Sequence, residues 1–192
     1  MKLRGLDGNS LITRAYHGVR PLTTRQGLHT NAIFGFLTTM QRLVDEEKPD
    51  ALCVTFDRRE PTFRHKADAA YKAKRKPMDE ELAMQLQPMK DVLDAMSIPR
   101  YELAGYEADD LIGTISRRCE AADWECVIVT GDKDSLQLIT DPTRVKLATG
   151  MPGRESYKDM TPDTFQEAYG FAPIHMIELK ALMRAASDNL SG

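Results

Sequence analysis

Apolar and polar positions alternate in blocks that spell out elements. Leu3 and Leu6 frame a short opening strand, interrupted by Arg4 and Gly5, that runs into the turn cluster Asp7-Gly8-Asn9-Ser10. From Asn31 to Glu47 the apolar residues Ile33, Phe34, Leu37, Met40, Leu43 and Val44 recur three and four apart, predicting an amphipathic helix stopped by Pro49. Ala51 to Phe56 reads as a buried strand that delivers Asp57, repeating the position of Asp7. Residues 58–78 are polar and bracketed by Pro61 and Pro77, a long excursion of the kind that is usually functional or mobile. Asp79-Glu80-Glu81 opens a helix to about Met96, with acids at its positive end.

Ile98 to Leu103 predicts another short strand, and Tyr106 to Cys119 a helix that begins with Glu107, Asp109 and Asp110. Cys126 to Thr130 is the clearest strand and ends at Gly131-Asp132-Lys133-Asp134. A further apolar stretch covers Val145 to Ala148. Thr161 caps the next helix, Pro162 suits its first turn and Gly170 closes it, and a last helix runs from Pro173 to about Met183. Strands alternating with helices predict an α/β fold with a mostly parallel central sheet, helices on both faces and ligands outside the strands' carboxyl ends.

Composition narrows the class. At 192 residues and 42 % hydrophobic, the chain suits one domain over 1–192. No window approaches the roughly 18 apolar residues of a membrane span, and no signal peptide is visible, so a cytoplasmic protein with no membrane partner is expected. Cys53, Cys119 and Cys126 are odd in number and lack CxxC spacing, implying buried thiols. His17, His29, His65 and His175 show no ligand spacing. The net charge of −3 hides a division: Arg58 to Lys76 holds eight basic residues against two acidic ones, a local +6 beside −9 elsewhere. A basic arm beside an acidic body suits phosphate binding over a metal site, although a solvated loop explains the charge equally well.

Asp7, Asp57 and the Asp132/Asp134 pair all follow apolar strands, so a parallel sheet gathers them along one edge. Glu107 and Asp110, three apart, are expected to share a helix face, with Asp109 to one side. So many carboxylates in one cleft repel unless cations lie between them. Their oxygens suit Mg²⁺ or Mn²⁺ and two-metal phosphate chemistry, which needs no side-chain nucleophile.

The stretches Leu6-Asp7-Gly8-Asn9-Ser10-Leu11, Thr62-Phe63-Arg64-His65, Tyr71-Lys72-Ala73-Lys74-Arg75, Gly105-Tyr106-Glu107-Ala108-Asp109-Asp110, Thr130-Gly131-Asp132-Lys133-Asp134 and Ser187-Asp188-Asn189 occur in this order. In this the chain resembles the 5′ nuclease domain of bacterial DNA polymerase I and its relatives, the flap endonucleases, of PIN-like (resolvase-like) fold. The resemblance implies a structure-specific 5′-3′ exodeoxyribonuclease or flap endonuclease acting in DNA replication and repair on DNA with a single-stranded 5′ end or flap. A polymerase domain in the parent protein is a further partner it implies. Asp7, Asp57, Glu107 and Asp109 would serve one metal, with Asp110 beside them, and Asp132, Asp134 and Asp188 a second. The excursion at about 58–78 would be the family's helical arch, with Lys72 and Arg75 on the scissile phosphate, Lys74 also on DNA and Tyr71 stacking on an unpaired base. Arg14 and Lys133 are weaker phosphate-contact candidates.

Two departures stand out. Before Ser187-Asp188-Asn189 the family places Gly-Asp and then a small or polar residue, whereas this chain has Arg184-Ala185-Ala186. Ala185 thus stands where an aspartate is expected, predicting a weakened second metal site and impaired activity. Because the sequence stops at Leu190-Ser191-Gly192, the family's helix-hairpin-helix module is expected to be missing. A catalytically silent DNA-binding scaffold and a PIN-like ribonuclease are the competing readings. Small PIN ribonucleases lack a long basic arch. Aspartate-nucleophile phosphatases need an Asp-x-Asp after the first strand, where Asp7 is followed by Gly8 and Asn9.

Overall fold

The computed structural model describes residues 1–73, 76–149 and 156–183. Its centre is a six-stranded sheet in the order β3-β2-β1-β4-β5-β6, built from β1 (Lys2–Asp7), β2 (Ala51–Thr55), β3 (Arg100–Tyr101), β4 (Glu125–Thr130), β5 (Thr143–Thr149) and β6 (Ser156–Met160). All neighbours pair in parallel except β5 and β6. The first strand of the chain is therefore central, with Leu6 beside Val54 on one side and Val129 on the other.

Side-chain alternation along β1 sends Leu6 to one face and Leu3 to the other. Leu6, Val54 and Val129 pack with Leu11, Ile12, Phe36, Leu43, Met89 and Leu93 from α1 (Gly8–Gly18), α2 (Asn31–Glu47) and α4 (Glu80–Ala95). Leu3, Cys53, Cys126 and Ile128 pack with Ile112, Phe165 and Met176 from α5 (Ala108–Ala121), α6 (Pro162–Tyr169) and α7 (Met176–Met183). The three thiols lie in or against this second layer, and burial pushes that of Cys53 up to about 12. Among the described residues no helix is long and apolar enough to cross a membrane.

The expected α2 appears over the expected residues, and α6 has its Thr161 cap, its Pro162 in the first turn and Gly170 in the left-handed conformation at φ 79°. Other features differ from expectation, among them β6, which the apolar pattern does not announce. The turn cluster after β1 is the start of α1, with Asp7 as its N-cap. The excursion contains a short helix, α3 (Phe63–Ala67), opened by a capping box between Thr62 and His65. The last helix is split, a 3-10 turn at Pro173–His175 preceding α7.

Candidate metal and phosphate site

The carboxyl ends of β1, β2 and β4 form one edge, and the acids converge there. Asp7, the last residue of β1, is buried; its Oδ1 accepts the Ser10 N–H at 3.0 Å and its Oδ2 the Thr130 hydroxyl at 2.7 Å. Asp57, exposed beyond β2, accepts the Ala108 N–H at 2.7 Å and so ties its loop to the start of α5. Asp132 follows β4, and its own N–H is received by the Thr130 hydroxyl at 3.0 Å.

Electrostatics identify which acids face one another. Burial, aided by the charges of Asp7, Asp132 and Asp57, pushes the Asp109 carboxyl up to about 8. Burial also raises Asp7 to about 6, against the hydrogen bonds from Ser10 and Thr130. Asp7, Asp57, Asp109 and Asp132 thus face one another, and their mutual repulsion adds to the burial that raises Asp7 and Asp109. Such an all-oxygen set fits a hard divalent cation. Among the described residues, however, no three His, Cys, Asp or Glu side chains are gathered closely enough to hold an ion by themselves. What the set offers a divalent ion is one or two carboxylates at a time, with water to complete its shell.

The expected pairing of Glu107 with Asp110 on a cleft-facing helix surface is corrected. Glu107 is the N-cap of α5, with extended backbone, and Asp110 turns back to accept its N–H at 2.9 Å. Arg64 of α3 grips both oxygens of Asp110, at 2.7 and 2.8 Å. Burial raises the Asp110 carboxyl, but Arg64 and the Glu107 N–H outweigh it and hold it below the ordinary range. Asp110 therefore anchors α3 to α5 and is engaged away from the repelling set, which Asp109 joins instead.

The base of the basic excursion is folded onto Glu107. Lys72 Nζ lies 2.7 Å from Glu107 Oε1, and the Tyr71 hydroxyl donates to Oε2 at 3.0 Å. Tyr71 is only 5 % exposed and meets His65 edge-on with ring centroids 5.0 Å apart. In this conformation its ring is packed on its own scaffold. Lys72 has φ 55°, in the left-handed region that L-residues with a side chain enter at a cost of about 1–2 kcal/mol. Lys133 is exposed beside Asp132. Arg14 lies against Gly131, and its guanidinium reaches the Thr149 carbonyl at 3.5 Å. Asp134 is half-buried and is paired with Lys180 of α7. Lys74, Arg75, Arg184, Ala185 and Asp188 lie outside the described residues.

Sequence reasoning did not find Asn9, Ser10, Thr130 or Arg64 as site residues. Asn9 and Ser10 read as turn formers and Thr130 as a strand residue, and only the strand order reveals what their side chains reach.

A family described as 5′-3′ exonuclease, N-terminal resolvase-like domain, matches residues 2–170. The chain belongs to this family. DNA polymerase I of Bacillus subtilis (strain 168) is 41 % identical over 192 residues, covering all of this chain and 22 % of that protein. DNA polymerase I of Bacillus caldotenax is 38 % identical with the same coverage. The chain thus spans about a fifth of the length of these relatives. Among solved structures, bacteriophage T5 5′-exonuclease with bound zinc superposes with a TM-score of 0.76 at 22 % identity, over all of this chain and 70 % of that one. The catalytic core of Rad2 in complex with DNA gives 0.57 at 20 % identity, over 98 % of this chain and 57 % of that one. At such identities the likeness establishes the family's fold, the PIN-like 5′ nuclease architecture.

Proposed function

We propose that this family member is a divalent-metal-dependent, structure-specific 5′ nuclease domain that hydrolyses phosphodiester bonds in DNA at 5′ ends or flaps. The observation that carries the reading is the set Asp7, Asp57, Asp109 and Asp132 at one sheet edge, where burial and the neighbouring acids raise Asp7 and Asp109. When bound, Mg²⁺ or Mn²⁺ at such a set lowers the pKa of a water and offsets charge on phosphate oxygens. The metal-bound T5 enzyme and the DNA-bound Rad2 core support the two ligand classes.

In this reading Asp7, Asp57, Asp109 and Glu107 hold and orient one ion, and Asp132, Asp134 and Asp188 a second, weaker one. Lys72 exchanges Glu107 for the scissile phosphate, joined by Arg75, while Lys74, Lys133 and Arg14 contribute positive charge along the strand. Tyr71 meets a base only after the excursion lifts from α5. The domain works in DNA replication and repair, with a polymerase domain in the parent protein and a bacterial cytoplasmic setting. A silent DNA-binding scaffold is the second reading, favoured by Ala185 where the family carries an aspartate.

Cleavage of a 5′-labelled flap duplex in Mg²⁺, Mn²⁺ or EDTA separates the two. The nuclease reading expects metal-dependent product, its loss in Asp132→Ala and an increase in Ala185→Asp. Binding without cleavage under every condition supports the scaffold.

A further inference from the structure

The turn that follows Asp7 reaches sideways in both directions. The Asn9 side-chain carbonyl accepts the backbone N–H of Asp57 at 3.0 Å, on the β2 side. The next residue, Ser10, accepts the N–H of Gly131 at 2.8 Å, on the β4 side. Both carboxylate-bearing loops are thereby tied to the first turn of the one helix whose N-cap is Asp7.

Each arm depends on a glycine. A Cβ at Gly8 would stand 2.5 Å from the Phe56 ring, and one at Gly131 would stand 2.9 Å from Ser10 Oγ. Only without those methyl groups does α1 approach both strand ends closely enough for the bonds to form. Neither bond is needed to build α1, whose cap is supplied by Asp7, nor to pair the strands, whose ladders end before residues 57 and 131.

We propose that Asn9 and Ser10 are positioning residues that set the lateral spacing of Asp57 and Asp132 about Asp7, and so the geometry in which divalent cations are taken up. This rests on the metal-dependent reading above. Asn9 acts through the backbone N–H of Asp57 itself, and Ser10 through that of Gly131, one residue before Asp132. The two arms serve different loops, so their losses are separable.

The test is Mn²⁺ binding by the whole chain, with free ion counted by its electron paramagnetic resonance signal, alongside thermal melts in EDTA. Asn9→Ala and Ser10→Ala are each expected to weaken Mn²⁺ binding about tenfold, as loss of outer-shell partners does elsewhere. Ser10→Thr, which keeps the hydroxyl, is expected to bind as the parent does. Melting temperatures in EDTA stay close to the parent's. Parent-like Mn²⁺ affinity in both alanine variants overturns the assignment, as does a lowered melting temperature with unchanged affinity. Should Ser10→Ala fail to fold, Asn9→Ala and Ser10→Thr still decide. No Mn²⁺ binding by the parent would instead overturn the metal reading itself, and this inference with it.

Discussion

Asp109 lies half-buried among three other acids, and its folded-state carboxyl titrates near 8 against an ordinary value of 3.8. Between those values the native state keeps a proton that the unfolded chain has released, so stability falls as pH rises from about 4 to about 8. In EDTA, Asp109→Asn is therefore expected to melt several degrees above the parent at pH 8, with the difference shrinking toward pH 4. Calorimetry across that range checks it, and a parent melting temperature independent of pH would refute the coupling. Millimolar Mg²⁺ should stabilise the parent at pH 8 and the variant less, because a ligand stabilises only the state that binds it. The acids themselves were legible in the sequence because each sits beside a strong element signal. Their division of labour was not. Glu107 and Asp110 have helical spacing on paper, but Glu107 has ψ 161° and is the N-cap, so the two meet through a capping box and a shared Arg64.

At the scale of elements, α3 is the piece that sequence missed and that most affects the site. Its residues Phe63–Ala67 form barely more than one turn, too short for a periodic signal. It is held by the two charge-assisted bonds from Arg64 to Asp110 and by the ring contact between Phe63 and Tyr106, centroids 5.7 Å apart. Because the ion pair is partly exposed, Arg64→Ala is expected to cost only on the order of 1 kcal/mol globally, lowering the melting temperature by about 2–4 °C. Its larger effect is local: hydrogen exchange over residues 62–73 should accelerate while α5 beyond its first turn stays protected. Uniform acceleration through the chain would contradict that division. The long elements behaved otherwise: α2 and β4 were readable because each buries a continuous apolar stripe, whereas β6 pairs at an antiparallel edge and carries little apolar signal.

Across the whole molecule, one charge network crosses the sheet's helical layer. Arg4, fully buried in β1, lies 3.0 Å from Glu47 at the end of α2, and Arg144 and Lys146 of β5 reach the same carboxylate at 2.5 and 2.6 Å. Burial pushes Glu47 up, but the hydrogen bond from Lys146 and the charges of Arg4 and Arg144 outweigh it and hold it at about 2. The unfolded chain takes up its proton near 4.5, so this contribution is complete above that pH and disappears as pH falls toward 2. Glu47→Ala strands a buried guanidinium and is expected to cost about 3–5 kcal/mol in denaturant titration, with a flatter acid limb than the parent. A loss below 1 kcal/mol would remove the network from the account of stability. In the sequence Arg4 appeared only as an interruption of an apolar run, because its partner belongs to another element and a distant stretch of chain.

The strand order has a consequence for the making of the protein. Of these six strands the earliest in the chain is a central one, and its partner β4 begins only at Glu125. Until that stretch emerges, one flank of β1 has no ladder, and the Asp7 carboxylate lacks the Thr130 hydroxyl that donates to it in the native state. Nascent chains ending before residue 125 should be protease-sensitive and prone to edge-to-edge association, and refolding of the whole chain should be slowed by the long loops that parallel pairing must close. The buried acid at the site thus waits through more than a hundred residues of synthesis for its partner.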